Sequence, residues 1–157
     1  KPCRAPDPHT KTPKFKLPEN ATDSHCHIFG PAAQYPFAPD RTYTPPDAGL
    51  DQFKQLQSIL GLTRAVLVNA SCHGVNNDPI IDAIAQSGGA YRGVANIDKS
   101  FDEKAIEKLN EQGIRGCRFN FVKHLGGVRR VYVGRGPPIL DCGEQNVEGA
   151  PARGVPA

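Results

Sequence analysis

The 157-residue sequence has no methionine and no tryptophan, and nowhere does it approach the roughly 18 consecutive apolar residues that a membrane-spanning helix requires. The missing apolar run removes a helical membrane span from the expectations, and no membrane partner is read. With not even an initiator methionine, the sequence is expected to be a piece or a processed product. Cysteine pairing is missing as well. The five cysteines, Cys3, Cys26, Cys72, Cys117 and Cys142, are odd in number, scattered, and never arranged as Cys-x-x-Cys. That spacing excludes a disulfide framework and a zinc ribbon, and the cysteines are read as mainly buried small apolar groups. Strong charge is absent too: a net charge of +3 is too mild for a polyanionic partner, so no nucleic acid is expected. The first twenty residues are rich in proline and lysine and lack the apolar stretch of a signal peptide, which makes the reducing cytoplasm the expected location. The 38% hydrophobic content that remains is enough for one ordinary domain with a sizeable core.

The most specific chemistry lies in Asp23-Ser24-His25-Cys26-His27. On an extended strand alternate side chains share a face, so His25 and His27 project into one space while Cys26 points the opposite way. Two imidazoles placed together can hold a divalent metal, zinc being the natural candidate, or polarise a carbonyl oxygen. A His-x-His strand at the head of repeated β/α units points to a hydrolytic barrel.

Three zones follow along the chain. Residues 1–20 carry Pro2, Pro6, Pro8, Pro13 and Pro18 and read as an extended lead-in that can wrap the surface. Residues 21–125 alternate between strand and helix patterns. Apolar runs at Arg64–Asn69, Tyr91–Ile97 and Ile114–Phe119 read as parallel strands, each opening on an arginine followed by Ala or Gly, or on a residue just before that pair. Leu50, Phe53, Leu56 and Leu60 line a helix that stops at Gly61. Asp78 before Pro79 is a predicted N-cap, and Ser100 with Glu103 has the spacing of a capping box for a helix ending at Gly113. The class is α/β. From Gly126 to Ala157 the chain is rich in Gly, Pro, Val and Arg, with no sustained period, and it is expected to lack order or to be an out-of-frame translation.

Four stretches in order carry a resemblance: Asp23–Gly30, Tyr35–Arg41, Asn69–Gly74 and Arg115–Phe121. Together they resemble the amidohydrolase superfamily, in particular its lactone-hydrolysing branch, in which a TIM (β/α)8 barrel opens a carboxylated lactone ring with water. The resemblance covers about four β/α units, the N-terminal half of such a barrel, and the chain is expected to be a truncated form with an irregular C-terminal tail. It makes His25 and His27 the first-strand histidines, catalytic in polarising the lactone carbonyl, or metal ligands if a metal is bound. It implies substrate contacts at Tyr43 and Ser71 and a carboxylate-binding arginine at Arg118. Such a task suits a planar guanidinium, which pairs two carboxylate oxygens at once. His124 stands where the branch implies another arginine. It is taken as a further substrate contact, one that weakens the expectation of a dicarboxylate. The later histidine and the aspartate base of the family have no counterpart here, so the chain by itself is expected to be near silent catalytically.

Each assignment competes with a plainer one. Two histidines at a strand end can simply be satisfied by neighbours, and Arg118 can sit in a strand-end ion pair. Ser71-Cys72-His73 invites a nucleophilic reading, but neighbouring side chains diverge and triads assemble in space rather than in sequence. Arg64, Arg92 and Arg115, at strand beginnings, are read as structural. The expected partner is a small anionic substrate. The alternatives are a metal-dependent decarboxylase of the same superfamily and a non-catalytic binding fragment. The oligomeric state is left open.

Overall fold

The structure, a computed structural model, describes residues 3–119 and the backbone of the pairs 130–131 and 140–141. Four parallel strands form one sheet in the order β1-β2-β3-β4: β1 Thr22–Cys26, β2 Arg64–Val68, β3 Tyr91–Asn96 and β4 Ile114–Arg118. Parallel neighbours need a long crossover, and each gap holds one α-helix, α1 Leu50–Leu60, α2 Asp78–Ala85 and α3 Glu103–Glu111, with a short 3-10 turn at Ser71–His73 before α2. The short strands β5 Arg130–Val131 and β6 Leu140–Asp141 pair antiparallel with each other. His124 and the rest of the 126–157 zone lie outside the described residues. Among the described residues no helix is long and apolar enough to cross a membrane.

The β/α rhythm comes from where the apolar side chains fall. Ala65 and Leu67 of β2 and Tyr91 and Ala95 of β3 face Phe53 of α1 and Ile80, Ala83 and Ile84 of α2, and Leu109 and Ile114 extend this core to α3 and β4. Gly93 belongs to the same face. A Cβ there would collide with the side chains of Ile114 and Ile84, so the missing side chain is what lets α2 lie this close to the sheet. Gln57 is buried in α1 and bonds the Tyr91 hydroxyl and, at 3.4 Å, the Arg64 carbonyl, which ties α1 to the starts of β2 and β3.

Helix ends follow the spacing in one case and shift in two. α1 ends at Gly61, whose φ of 75° is the left-handed stop expected there. Asn77 holds the N-cap position of α2 without a side-chain capping bond, and Asp78 is already the first helical residue; the Asp78 N–H is satisfied at 3.0 Å by the Asn76 side chain. The predicted Ser100–Glu103 capping box does not form. Asp98 takes both the Ser100 N–H (2.9 Å) and its hydroxyl (2.6 Å), leaving Asp102 to cap α3 by accepting from the Ala105 N–H at 2.8 Å. A carboxylate is well suited to that place because the helix N-terminus carries partial positive charge.

The expectation of mainly buried cysteines needs correcting. Cys72 is fully buried and Cys26 half-buried, whereas Cys3 and Cys117 are exposed, the first in the lead-in and the second on the outermost described strand. Cys142 lies outside the described residues.

Candidate active site

Parallel strands bring all their C-terminal ends to one edge of the sheet, the edge where β/α folds gather functional side chains. His27 follows the last residue of β1, Ser71 opens the turn after β2, Asn96 ends β3 and Arg118 ends β4. His25 and His27 come together as their spacing predicts, ring centroids 5.1 Å apart and planes nearly perpendicular at 89°. Cys26 points into the core, where burial, with Asp23 adding to it, pushes its thiol up to about 12 and leaves it unreactive.

His27 is held more firmly than His25. Its Nδ1 lies 2.7 Å from the Val68 carbonyl. A carbonyl oxygen only accepts, so Nδ1 carries the proton and the neutral ring offers Nε2 as a lone pair. Burial lowers the His27 pKa; the Val68 bond works against this, while the charges of His25 and Arg118 add to the lowering. His25 is exposed, and its backbone N–H is fixed by the Asp23 carboxylate at 3.0 Å.

Tyr43 and Ser71 meet across 28 residues of sequence, their hydroxyl oxygens 3.2 Å apart. Burial raises the Tyr43 pKa and the Ser71 bond partly offsets it. Both line a cavity of about 540 Å³ together with Arg118, Arg41, His73 and Asn96. A second cavity, of about 670 Å³, lies between the lead-in and α1, with His27 and Phe29 on its wall; Tyr43 borders both. Thus Tyr43, Ser71 and Arg118 share one hollow, and the imidazole of His27 opens on the adjoining one. His25 lines neither.

Sequence reasoning missed the residues that brace the far wall, which Asn96 lines and Asn69 and Asn77 support from behind. Asn69, Asn77 and Asn96 are buried and interlock. Asn77 Oδ1 accepts from Asn69 Nδ2 and from the Asn96 N–H, both at 2.9 Å, and Asn77 Nδ2 donates to the Asn96 carbonyl at 2.9 Å and the Val75 carbonyl at 3.1 Å. Asn96 Nδ2 donates in turn to the Gly74 carbonyl at 2.9 Å. This lattice pins the 69–77 turn, and with it Ser71, to the end of β3. The available signal was an asparagine closing each of the two apolar runs, an expensive place for an amide without partners. The nucleophilic reading of Ser71-Cys72-His73 does not assemble: the Ser71 hydroxyl faces Tyr43, and the His73 ring packs on Phe37 with centroids 4.9 Å apart. His73 is 2% exposed, and neither ring nitrogen finds a hydrogen-bond partner among the described residues. Its burial lowers the pKa, with a smaller opposing pull from the Pro36 carbonyl, which stands near the ring without hydrogen-bond geometry.

The metal expectation meets a short donor set. Zinc takes three or four protein ligands. His25 and His27 offer two nitrogens, and no group of three or more His, Cys, Asp or Glu among the described residues could hold an ion. These residues do not complete a metal site, and no step is derived through one.

The sequence profile of the amidohydrolase family matches residues 22–135. The chain belongs to the amidohydrolase family. It is 50% identical over 113 residues to a 2-pyrone-4,6-dicarboxylate hydrolase of Comamonas testosteroni, covering 72% of this chain and 37% of that protein. It is 36% identical over 120 residues to a 4-sulfomuconolactone hydrolase of Rhizobium radiobacter, covering 76% and 40%. Among solved structures, a probable 2-pyrone-4,6-dicarboxylic acid hydrolase of Acinetobacter baumannii with citric acid bound superposes with a TM-score of 0.59 at 29% identity, covering 64% of this chain and 37% of that one. The chain therefore spans about two fifths of the length of the relatives it matches, and its α/β sheet has the architecture of the N-terminal half of a TIM barrel.

Proposed function

We propose that this amidohydrolase chain supplies the part of a lactone hydrolase that grips the substrate, the reaction being water-dependent opening of a carboxylated lactone ring. The observation that carries this reading is the Tyr43–Ser71 hydroxyl pair sharing a cavity with Arg118, whose positive charge also reaches the His27 imidazole. In this reading residues 21–125 hold the site and residues 1–20 form a lead-in beside it.

Arg118 pairs the two oxygens of a ring carboxylate, and the two hydroxyls donate hydrogen bonds to the same anion or to the ring oxygen. The lactone carbonyl then faces the histidine pair. Water adds to that carbonyl, the ring C–O bond breaks, and the products are a new carboxylate and an alcohol or enol. A well-placed donor to the developing oxyanion is worth roughly 3 to 4 kcal/mol. With Nδ1 committed to Val68, His27 donates from Nε2 only when doubly protonated, a state that Arg118 opposes and a bound carboxylate favours. Activation of the water by a base, worth about 10²- to 10⁴-fold in rate, is assigned to none of these residues.

The test is a chimera in which residues 21–119 replace the matching segment of the Comamonas testosteroni hydrolase, assayed by loss of pyrone absorbance. A folded chimera is expected to open 2-pyrone-4,6-dicarboxylate and to lose activity on His27→Ala or Arg118→Ala. A folded but inert chimera, or one indifferent to both substitutions, overturns the reading.

A further inference from the structure

The loop that carries Tyr43 has no helix or strand to hold it, yet its hydroxyl sits within hydrogen-bonding distance of Ser71. The lead-in contributes one backbone tie, the Cys3 N–H donating to the Thr44 carbonyl at 3.1 Å, and Arg41 supplies the side-chain clamp. Its Nε donates to Thr44 Oγ1 at 3.0 Å and its Nη1 to the Ala38 carbonyl at 3.0 Å, so one guanidinium clamps the loop on both sides of Tyr43. The face of the same guanidinium lies over Phe37, Cζ 5.7 Å from the ring centroid, and Phe37 packs in turn on the buried His73. The loop is also seated on the turn by the Ala38 N–H, which donates to the Cys72 carbonyl at 2.8 Å. Gly74 makes that approach possible: its φ is +59°, and a Cβ there would lie 3.2 Å from the Ala38 Cβ.

We propose that Arg41 is a positioning residue of this site, holding the Tyr43 hydroxyl on Ser71 through its fork to Ala38 and Thr44 and its place over Phe37, which in turn rests on His73. Arg41 lines the cavity and is a cation, so the competing role is direct attraction of the anionic substrate. Its geometry speaks for positioning, because Nε and Nη1 are already committed to loop oxygens. A lysine keeps the charge and loses the fork, which separates the two roles. The inference rests on the reading that Tyr43 and Ser71 contact the substrate.

The experiment is a double-mutant cycle in the full 157-residue chain, with 2-pyrone-4,6-dicarboxylate binding measured by calorimetry. Arg41→Ala is expected to weaken binding on the order of tenfold in the native background and by less than about twofold in Tyr43→Phe, because a residue acting through a hydroxyl has nothing left to position once that hydroxyl is gone. Arg41→Lys is expected to behave like Arg41→Ala. Equal losses in both backgrounds, or full retention by lysine, overturn the proposal. A ligand-free measurement separates this from the functional reading: the Tyr43 phenol, raised by burial, should titrate closer to its ordinary value of about 10 once Arg41→Ala or Arg41→Lys releases the loop. If the native chain binds no lactone, the functional reading fails and the phenol titration alone decides, an unmoved Tyr43 overturning the positioning role. Should Arg41→Ala fail to fold, Arg41→Lys carries the same readouts.

Discussion

The turn after β2 and the end of β1 present chemical groups at the same edge of the sheet, but they are held in opposite ways. The 69–77 turn keeps Asn69, Cys72, His73 and Asn77 buried, though Val75 is exposed, and its two buried asparagines exchange hydrogen bonds with each other and with Asn96. The β1 end is a half-open rim where one imidazole has a single anchor and the other is exposed. The turn lies between two central strands and is surrounded by partners, whereas β1 has a described neighbour on one side only. The comparison teaches that placement and chemistry are divided here: interior amides fix where the cavity is, and exposed rim residues remain free to meet a ligand.

Breaking the buried side should have the largest effect. Asn77→Ala removes the two side-chain atoms that bond the Asn96 N–H and carbonyl and strands both, while Asn69 Nδ2 keeps the Asn76 carbonyl and Asn96 Nδ2 keeps the Gly74 carbonyl. With about 1 to 3 kcal/mol per buried group left unsatisfied, a loss of roughly 3 kcal/mol or more in urea unfolding is expected. A loss below about 1 kcal/mol would mean that the turn is not held by this lattice.

Acid should sharpen the comparison by a smaller amount. His27 and His73 have pKa values lowered by burial, so above about pH 6.5 both are neutral folded or unfolded and cost nothing. As pH falls below that value the unfolded chain takes up protons that the folded rings refuse, and stability drops until the folded pKa values are passed. The urea midpoint should fall between pH 7.5 and 5.5, and His73→Phe should flatten that fall. An unchanged slope in His73→Phe would place the acid sensitivity elsewhere.

The rim should respond least in stability. His25 is exposed, and His25→Ala is expected to change unfolding by no more than about 0.5 kcal/mol, since surface substitutions away from special features rarely exceed that. The same variant should impair ring opening in the chimera described above. A stability loss comparable to that of Asn77→Ala would erase the division between rim and interior.

Much of the α/β order could be read along the chain, because helix and strand periods are local. The apolar runs at β2, β3 and β4 and the Gly61 stop appear where spacing puts them. The predicted caps of α2 and α3 did not form: α3 is capped by Asp102 because Asp98 had already engaged Ser100, and the N-cap position of α2 falls one residue early at Asn77, whose side chain serves the β3 end and leaves the helix without a side-chain cap. The His25–His27 pairing was legible for the same local reason, two residues apart on one strand. Resemblance named Tyr43 and Ser71 each as a substrate contact, and the hydrogen bond between them, set by packing across 28 residues, was not legible. The stack that joins Arg41, Phe37 and His73 was not read, although all three lie in stretches that carry the resemblance, because a stack between a loop and a turn leaves no period in the sequence.

By itself, then, the order of residues determined the alternation of strands and helices, the shared side of the two imidazoles and the family to which the chain belongs. Those are properties of neighbours along a backbone with fixed repeat. Tertiary structure alone decided which tautomer His27 adopts, which amides anchor the turn and which guanidinium clamps the tyrosine loop. Each of these requires a partner brought near by packing across the sheet, and the free energy of a buried hydrogen bond depends on that partner being there.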